Sequence, residues 1–185
     1  MNTAVTSKEE ILKTSRELIR RQGWSAVSIR SVAAGCGVSV GSIYNYFDSK
    51  TDLIGATVES VWCEIFHRPE DDAVFQDVQA CVAWIYQRMA YGCERYPGFF
   101  TLHSLGFLRE DKAAGKQRMQ QTWQHILAGL CSVLKQDVRI RPDAFTEQFT
   151  AEKFADVLFS QMLSALLRQD YDPSAVLEIV RRTLY

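Results

Sequence analysis

SIRSVAAGCGVSVGSIYNYFDSK, residues 28–50, decides how this chain is read. Ser28 and Ser39 stand where helix N-caps belong, because a serine hydroxyl can accept a bond from a backbone N–H that the first helical turn leaves unpaired. The two starts lie eleven residues apart, and Gly35-Cys36-Gly37 fills the short space between them. Glycine tolerates the left-handed backbone that stops one helix and swings the chain into the next. Two short helices joined by a tight turn make a helix-turn-helix. Ile29, Val32 and Ala33 on the first can meet Val38, Ile43 and Phe47 around the second, with Ala33 small enough for close helix approach. Val40, Gly41, Ser42, Tyr44, Asn45 and Tyr46 are left pointing outward. That face carries no acid, and its short side chains and hydroxyls suit the major groove of DNA, where they reach base edges and phosphates.

From about Ser7 to Ile54 the chain resembles the DNA-binding domain of the tetracycline-repressor (TetR) family of bacterial regulators. The family's run Gly-Val-Ser-x-Gly-(Ser/Thr)-(Leu/Ile)-Tyr-x-Tyr-Phe-x-(Ser/Asn)-Lys-x-x-Leu is met here from Gly37 to Leu53. The resemblance implies that Arg30, Val40, Gly41, Ser42 and Asn45 face base edges, and that Ser28, Ser39, Tyr44, Tyr46 and Lys50 hold phosphates. Lys50 suits that role on physical grounds too, since a helix's first turn already favours an anion. Arg30 can read a guanine by two hydrogen bonds, or be held by Asp48 or by solvent. Beyond residue 54 the resemblance is an architectural outline only.

The charge distribution agrees with a basic, DNA-facing start. Residues 1–50 hold seven Lys/Arg against four Asp/Glu, and residues 51–185 hold fourteen against eighteen. A chain of 185 residues with 47% apolar and 23% charged residues is ordinarily globular. Its five cysteines are odd in number and scattered, which argues against a disulfide framework or a zinc site. His67, His103 and His125 lack metal-ligand spacing, no nucleophile elbow or paired catalytic carboxylates occur, and the glycines of the motif follow a helix where a phosphate loop would follow a strand. No enzyme, metal or cofactor is expected. Met1 to Thr6 lacks a signal-peptide pattern and no run reaches membrane-spanning length, so a cytoplasmic protein without membrane contact is expected.

Helical periodicity runs throughout. Ser7 to Glu10 has capping-box spacing and opens a helix with Ile11, Leu12, Ser15, Leu18 and Ile19 on one side, closed by Gly23. The basic residues Lys8, Lys13, Arg16, Arg20 and Arg21 on its other side read mostly as solvated charge. Trp24 and Val27 then close the small core. Ser49 to Asp52 repeats the serine-to-acid spacing and starts a helix running to about His67. A further helix carries Val78, Cys81, Val82, Ile85 and Met89 to about Arg95. Tyr96-Pro97-Gly98 breaks the chain, Phe99 to Leu108 reads as a short apolar helix, and Glu110 to Gly115 as a polar connection. A long helix follows from about Lys116 to Leu134, and two more from about Thr150 to Gln169 and Pro173 to Leu184.

These elements predict an all-α fold of about nine helices: a three-helix DNA-binding domain, residues 1–50, and a helical effector-binding and dimerisation domain, residues 51–185. Two half-sites one DNA turn apart call for a homodimer. The apolar girdle of Phe154, Leu158, Phe159, Met162 and Leu166 is expected to form its interface. The resemblance further implies a small-molecule effector among Trp62, Phe66, Trp84, Phe99, Phe100, His103, Trp123 and Met162. The expected activity is that of a DNA-binding transcriptional regulator, a repressor released from its operator by an apolar or aromatic effector. The alternatives are an architectural DNA-binding protein without effector and a helical ligand-binding module with a vestigial helix-turn-helix.

Overall fold

Four serines start the first four helices as the spacing predicts. A computed structural model describes residues 6–66, 72–100 and 113–185. Among these residues there are eight α-helices and no strand: α1 (Lys8–Gln22), α2 (Ile29–Cys36), α3 (Val40–Tyr44), α4 (Lys50–Ile65), α5 (Val78–Arg95), α6 (Ala113–Gln136), α7 (Ala151–Arg168) and α8 (Ser174–Leu184). Ser7, Ser28, Ser39 and Ser49 each lie in extended backbone and accept, on Oγ, the amide three residues on, at 3.1 Å in every case. None of these helix starts depends on a distant residue.

The chain packs as two units, Met1–His67 with Gly92–Leu102, and Arg68–Tyr91 with His103–Tyr185. In the first unit, Ile11, Ile19, Val32, Ile43, Phe47 and Leu53 are buried at 0 to 1% exposure, so α1, α2, α3 and the start of α4 share one core. Val27 joins it, while Trp24 is half-buried and tilts against Phe99.

The turn of the motif differs from its expected form. α2 continues through Gly35 and Cys36, and Gly37 alone is left-handed, with φ +67°. Gly35 is glycine because α1 passes close by: a Cβ there would lie 2.6 Å from Thr14 Cγ2. Cys36 Sγ bonds Thr14 Oγ1 at 3.3 Å across the same approach. Gly35→Ala is therefore expected to destabilise the protein by about 1 kcal/mol, overpacking outweighing the gain in helix propensity. Urea unfolding checks this, and a stability equal to or above wild type would contradict it.

In the second unit α6 and α7 pack along each other. The expected apolar positions of α5, namely Val78, Cys81, Val82, Ile85 and Met89, are all buried. α6 starts at Ala113, so residues 113–115 of the expected polar connection are helical. The expected helix from Phe99 is described only at its first two residues, which are helical, and the rest falls outside the described residues. Thr150 caps α7, and Gln169 ends it in the left-handed region at φ +54°.

The girdle assigned to a dimer interface lies inside its own chain. Phe154, Leu158, Phe159, Met162 and Leu166 are 1 to 7% exposed, so little of them is left for a partner. A helix with so wide an apolar surface is one buried by neighbours of its own fold. What α7 and α8 leave outside is Val157, Leu167 and Ile179, at 46 to 55% exposure.

Asp137, 5% exposed, ties the end of α6 to the start of α5. Its carboxylate accepts from Val78 N at 3.0 Å, from Arg139 Nε at 3.0 Å and Nη2 at 2.8 Å, and from the Tyr185 hydroxyl. Burial alone would raise its pKa, but these donors together hold it well below the usual carboxylate range.

Candidate nucleic-acid interface

No acidic residue occurs between Glu17 and Asp48, while Arg20, Arg21 and Arg30 fall in that interval. The motif helices are thus free of carboxylates. On α3 the core takes only Ile43, and the other side presents Val40, Tyr44 and, just past the helix, Tyr46 at 41, 49 and 40% exposure. Gly41 and Asn45 are exposed and Ser42 is half-buried. Of the outward set named from the sequence, Val40, Gly41, Tyr44, Asn45 and Tyr46 are exposed and Ser42 is not fully so.

Arg30, Tyr44, Asn45 and Lys50 are exposed, and their side chains have no hydrogen-bond or ion-pair partner among the described residues. The expected alternative pairing of Arg30 with Asp48 is not formed. These four side chains on α2, α3 and the first turn of α4 are donors available to an external acceptor. Lys50 opens α4, where unpaired amides and the helix dipole add to its own charge.

The two N-cap serines divide their capacity. Ser28 is half-buried and closes a reciprocal box with Ser31, whose Oγ accepts from Ser28 N at 2.9 Å and donates to Ala26 O at 2.6 Å. Ser39 is exposed, and its Oγ accepts from Ser42 N while lying 2.9 Å from Ser42 Oγ. Tyr46 departs from its expected role: its hydroxyl donates to the Thr6 carbonyl at 2.5 Å, so a phosphate contact requires that bond to break.

Val40, an exposed branched apolar residue, suits contact with a thymine methyl. Gly41 has no structural need to be glycine: a Cβ there would meet only Ser39 Oγ at 3.7 Å, and its φ is not positive.

A network absent from the sequence reading lies behind this face. Glu64 on α4 accepts from Arg20 Nη2 at 2.8 and 3.0 Å, pairs with Arg16 Nε at 2.8 Å, and accepts from Arg95 Nε at 3.2 Å. The Tyr96 hydroxyl, on a fully buried ring, accepts from Arg20 Nε at 3.2 Å and also bonds Glu64. Burial would raise the Glu64 pKa, yet the Tyr96 bond and the charges of Arg20, Arg95 and Arg16 bring it below its ordinary value of 4.5. Arg16 and Arg20, expected to be solvated charge, are only 19% exposed. Their i, i+4 spacing beside Ser15 and Ile19 is the signal that places both on one helix face. Lys13 and Arg21, at 63 and 78% exposure, do face solvent.

The expected effector residues separate into groups. In the first unit Trp62 stacks on Phe66 and meets Phe99 and Phe100 edge-on. In the second, Trp84 packs on Phe75, and Trp123 packs on Phe159, a helical turn from buried Met162. His103 falls outside the described residues. Among the described residues no cluster of His, Cys, Asp or Glu could hold a metal, and no helix is long and apolar enough to cross a membrane.

Residues 11–57 match the sequence profile of bacterial regulatory proteins of the tetR family. An uncharacterized HTH-type transcriptional regulator, YerO of Bacillus subtilis, is 40% identical over 52 residues, 28% of this chain and 18% of that protein. The chain covers less than two thirds of the curated relatives it matches, 18% of one and 50% of another. The crystal structure of the transcriptional regulator FadR from Bacillus subtilis in complex with stearoyl-CoA superposes with a TM-score of 0.63 at 16% identity, over 97% of this chain and 100% of that one. The multidrug binding protein EbrR complexed with proflavin gives 0.60 at 19% identity, over 96% and 99%. At such identities the likeness is one of fold.

Proposed function

The chain belongs to the tetR family of bacterial regulatory proteins through its N-terminal domain, residues 11–57, and from that premise we propose that it is a sequence-specific DNA-binding transcriptional regulator, a repressor that a small effector releases. The observation that carries the proposal is the set Arg30, Tyr44, Asn45 and Lys50, exposed donors without partners among the described residues, beside motif helices α2 and α3 that carry no acid. Phosphates would take Lys50, Tyr44 and Ser39, and base edges would meet Arg30, Val40, Ser42 and Asn45. The functional division stays at residues 1–50 and 51–185, with the DNA contacts in the first part.

Reading two half-sites requires two copies of α3 one DNA turn apart, hence a two-fold dimer. Val157, Leu167 and Ile179 are the apolar side chains that α7 and α8 offer to a second copy. A small molecule acts as effector by preferring one spacing of the two recognition helices, and it shifts DNA affinity only to that extent. The aromatic residues around Trp62 support such a site, as do the ligand complexes of two structures that share the fold.

Gel shift on the duplex upstream of its own gene tests this. Salt-sensitive retention is expected, with preference over a scrambled duplex. Tyr44→Ala and Lys50→Ala should each weaken it, and Lys50→Ala should lower the salt slope by about 1 per protomer. Retention that ignores salt, or ignores both substitutions, would overturn the proposal. Equal affinity for the scrambled duplex would make the protein architectural.

A further inference from the structure

The helix that faces the duplex is a short lever. α3 holds five residues, buries only Ile43 among them, and ends at Asn45 in ordinary right-handed backbone. So short a helix has little stability of its own, and its direction is set by what grips its ends. At its start Ser39 accepts from Ser42 N. Past its end the Ile43 carbonyl accepts from Tyr46 N at 3.0 Å and from Phe47 N at 3.1 Å, and the Phe47 ring is buried.

Two contacts fasten this far end to the beginning of α1. The Tyr46 hydroxyl donates to the Thr6 carbonyl at 2.5 Å, and Lys8 Nζ lies over the Phe47 ring, 5.6 Å from its centre. The receiving side is firm: Thr6 Oγ1 is shut off from solvent, Ser7 caps α1, and Ile11 and Ile19 of α1 are fully buried. A carbonyl on such a base is a fixed point, and the phenol proton spent on it is not offered outward.

Resting on the DNA-reading role above, we propose that Tyr46 is a positioning residue for base recognition: its hydroxyl sets the direction of α3 through Thr6 and touches no phosphate. The position at which the family resemblance implies a phosphate contact is used otherwise in this chain. Recognition contacts hold only within about 0.5 Å and 10–20° of their working geometry, so Val40, Ser42 and Asn45 depend on the direction of α3. Lys50, a point charge on a flexible stem at the start of α4, follows a phosphate through a small tilt. Loosening the far end of α3 therefore costs sequence reading and spares general adhesion to the duplex. A phosphate contact does the opposite, and its loss weakens all duplexes alike.

Quantitative gel shift of Tyr46→Phe, on the duplex upstream of its own gene and on a scrambled duplex, separates the two roles. The variant keeps the ring and loses the hydroxyl. At equal concentrations of folded protein, affinity for the upstream duplex is expected to fall about tenfold, one hydrogen bond being lost in each of two protomers, and that for the scrambled duplex to change by less than about twofold. An equal fall on both makes Tyr46 a phosphate contact and overturns the proposal. Unchanged affinity for both marks a purely structural bond and overturns it too, as does a fall confined to the scrambled duplex. Should Tyr46→Phe fail to fold, wild-type protein labelled with carbon-13 at tyrosine Cζ decides: the Tyr46 signal is expected to keep its position when the upstream duplex binds, and a displacement on binding marks transfer of the hydroxyl to DNA and overturns the assignment. A wild type indifferent to sequence loses the regulator reading and this role together. A wild type that prefers its upstream duplex, beside a Tyr46→Phe that prefers it equally, loses this role alone.

Discussion

Replacing Gly41 with alanine is expected to make the protein more stable and a worse DNA binder. Gly41 is an exposed helical residue with an ordinary backbone, and the added methyl would find only Ser39 Oγ at 3.7 Å. Alanine there should gain up to about 1 kcal/mol of helix propensity, tempered by the shortness of α3. A residue that the fold would rather have as alanine is explained by something outside the fold, here the approach of the α3 backbone to a DNA groove. A methyl in that contact should weaken binding about tenfold or more, equivalent to about 1.4 kcal/mol. Thermal unfolding and gel shift on the same variant give both numbers. Unchanged DNA affinity would remove Gly41 from the interface. The contrast with Gly35, where a Cβ collides with Thr14, makes the pair informative: one glycine answers to a neighbouring helix, and the other is free of any such neighbour.

Glu64→Gln is expected to lower stability at neutral pH by about 2 kcal/mol, since it leaves Arg16 without its counter-charge and Arg20 with Glu17 alone, both arginines being 19% exposed. The sign of the pH dependence follows from the direction of the shift. The folded pKa of Glu64 lies below its ordinary 4.5, so the ionised carboxylate's contribution is complete above 4.5 and is lost as pH falls through the lower folded value. The gap between wild type and Glu64→Gln should therefore be wide at about pH 7 and close steadily in acid. Urea midpoints across that range measure it, and a gap that stays constant would show that the amide serves as well as the carboxylate. The variant should also fold less tightly between α1 and α4, because Glu64 is where Arg16 and Arg20 of α1 meet α4.

How much was legible depended on range. Ser7, Ser28, Ser39 and Ser49 act within three residues of themselves, so their caps could be read from spacing, and every one forms. The outward face of α3 followed from the burial of Ile43 and Phe47 by the same local logic. What escaped was decided by distant partners. Gly35 looked like part of a turn because nothing nearby in the chain reveals that Thr14 presses against it. Arg20 looked solvated because its partners Glu64 and Tyr96 lie 44 and 76 residues beyond it, and Arg16 because Ser60 lies 44 residues beyond it. The girdle of α7 looked like an interface because composition reports that a surface is buried and not by whom; α6 packs along it in the same chain. Tyr46 was assigned an outward task by position, and the Thr6 carbonyl forty residues earlier holds its proton.

The start of α5 is built differently from the serine-capped helices. Asp77 serves Ala80 N locally at 3.0 Å, but the amide of Val78 is received by Asp137, 59 residues downstream. During synthesis, the first four helices have all their capping atoms as soon as each emerges, whereas α5 waits for the far end of α6 before its opening turn is complete. Closing so long a loop has an entropic cost that only concerted docking of several helices offsets. The first four helices can thus start early, while the part holding Asp137 is completed late.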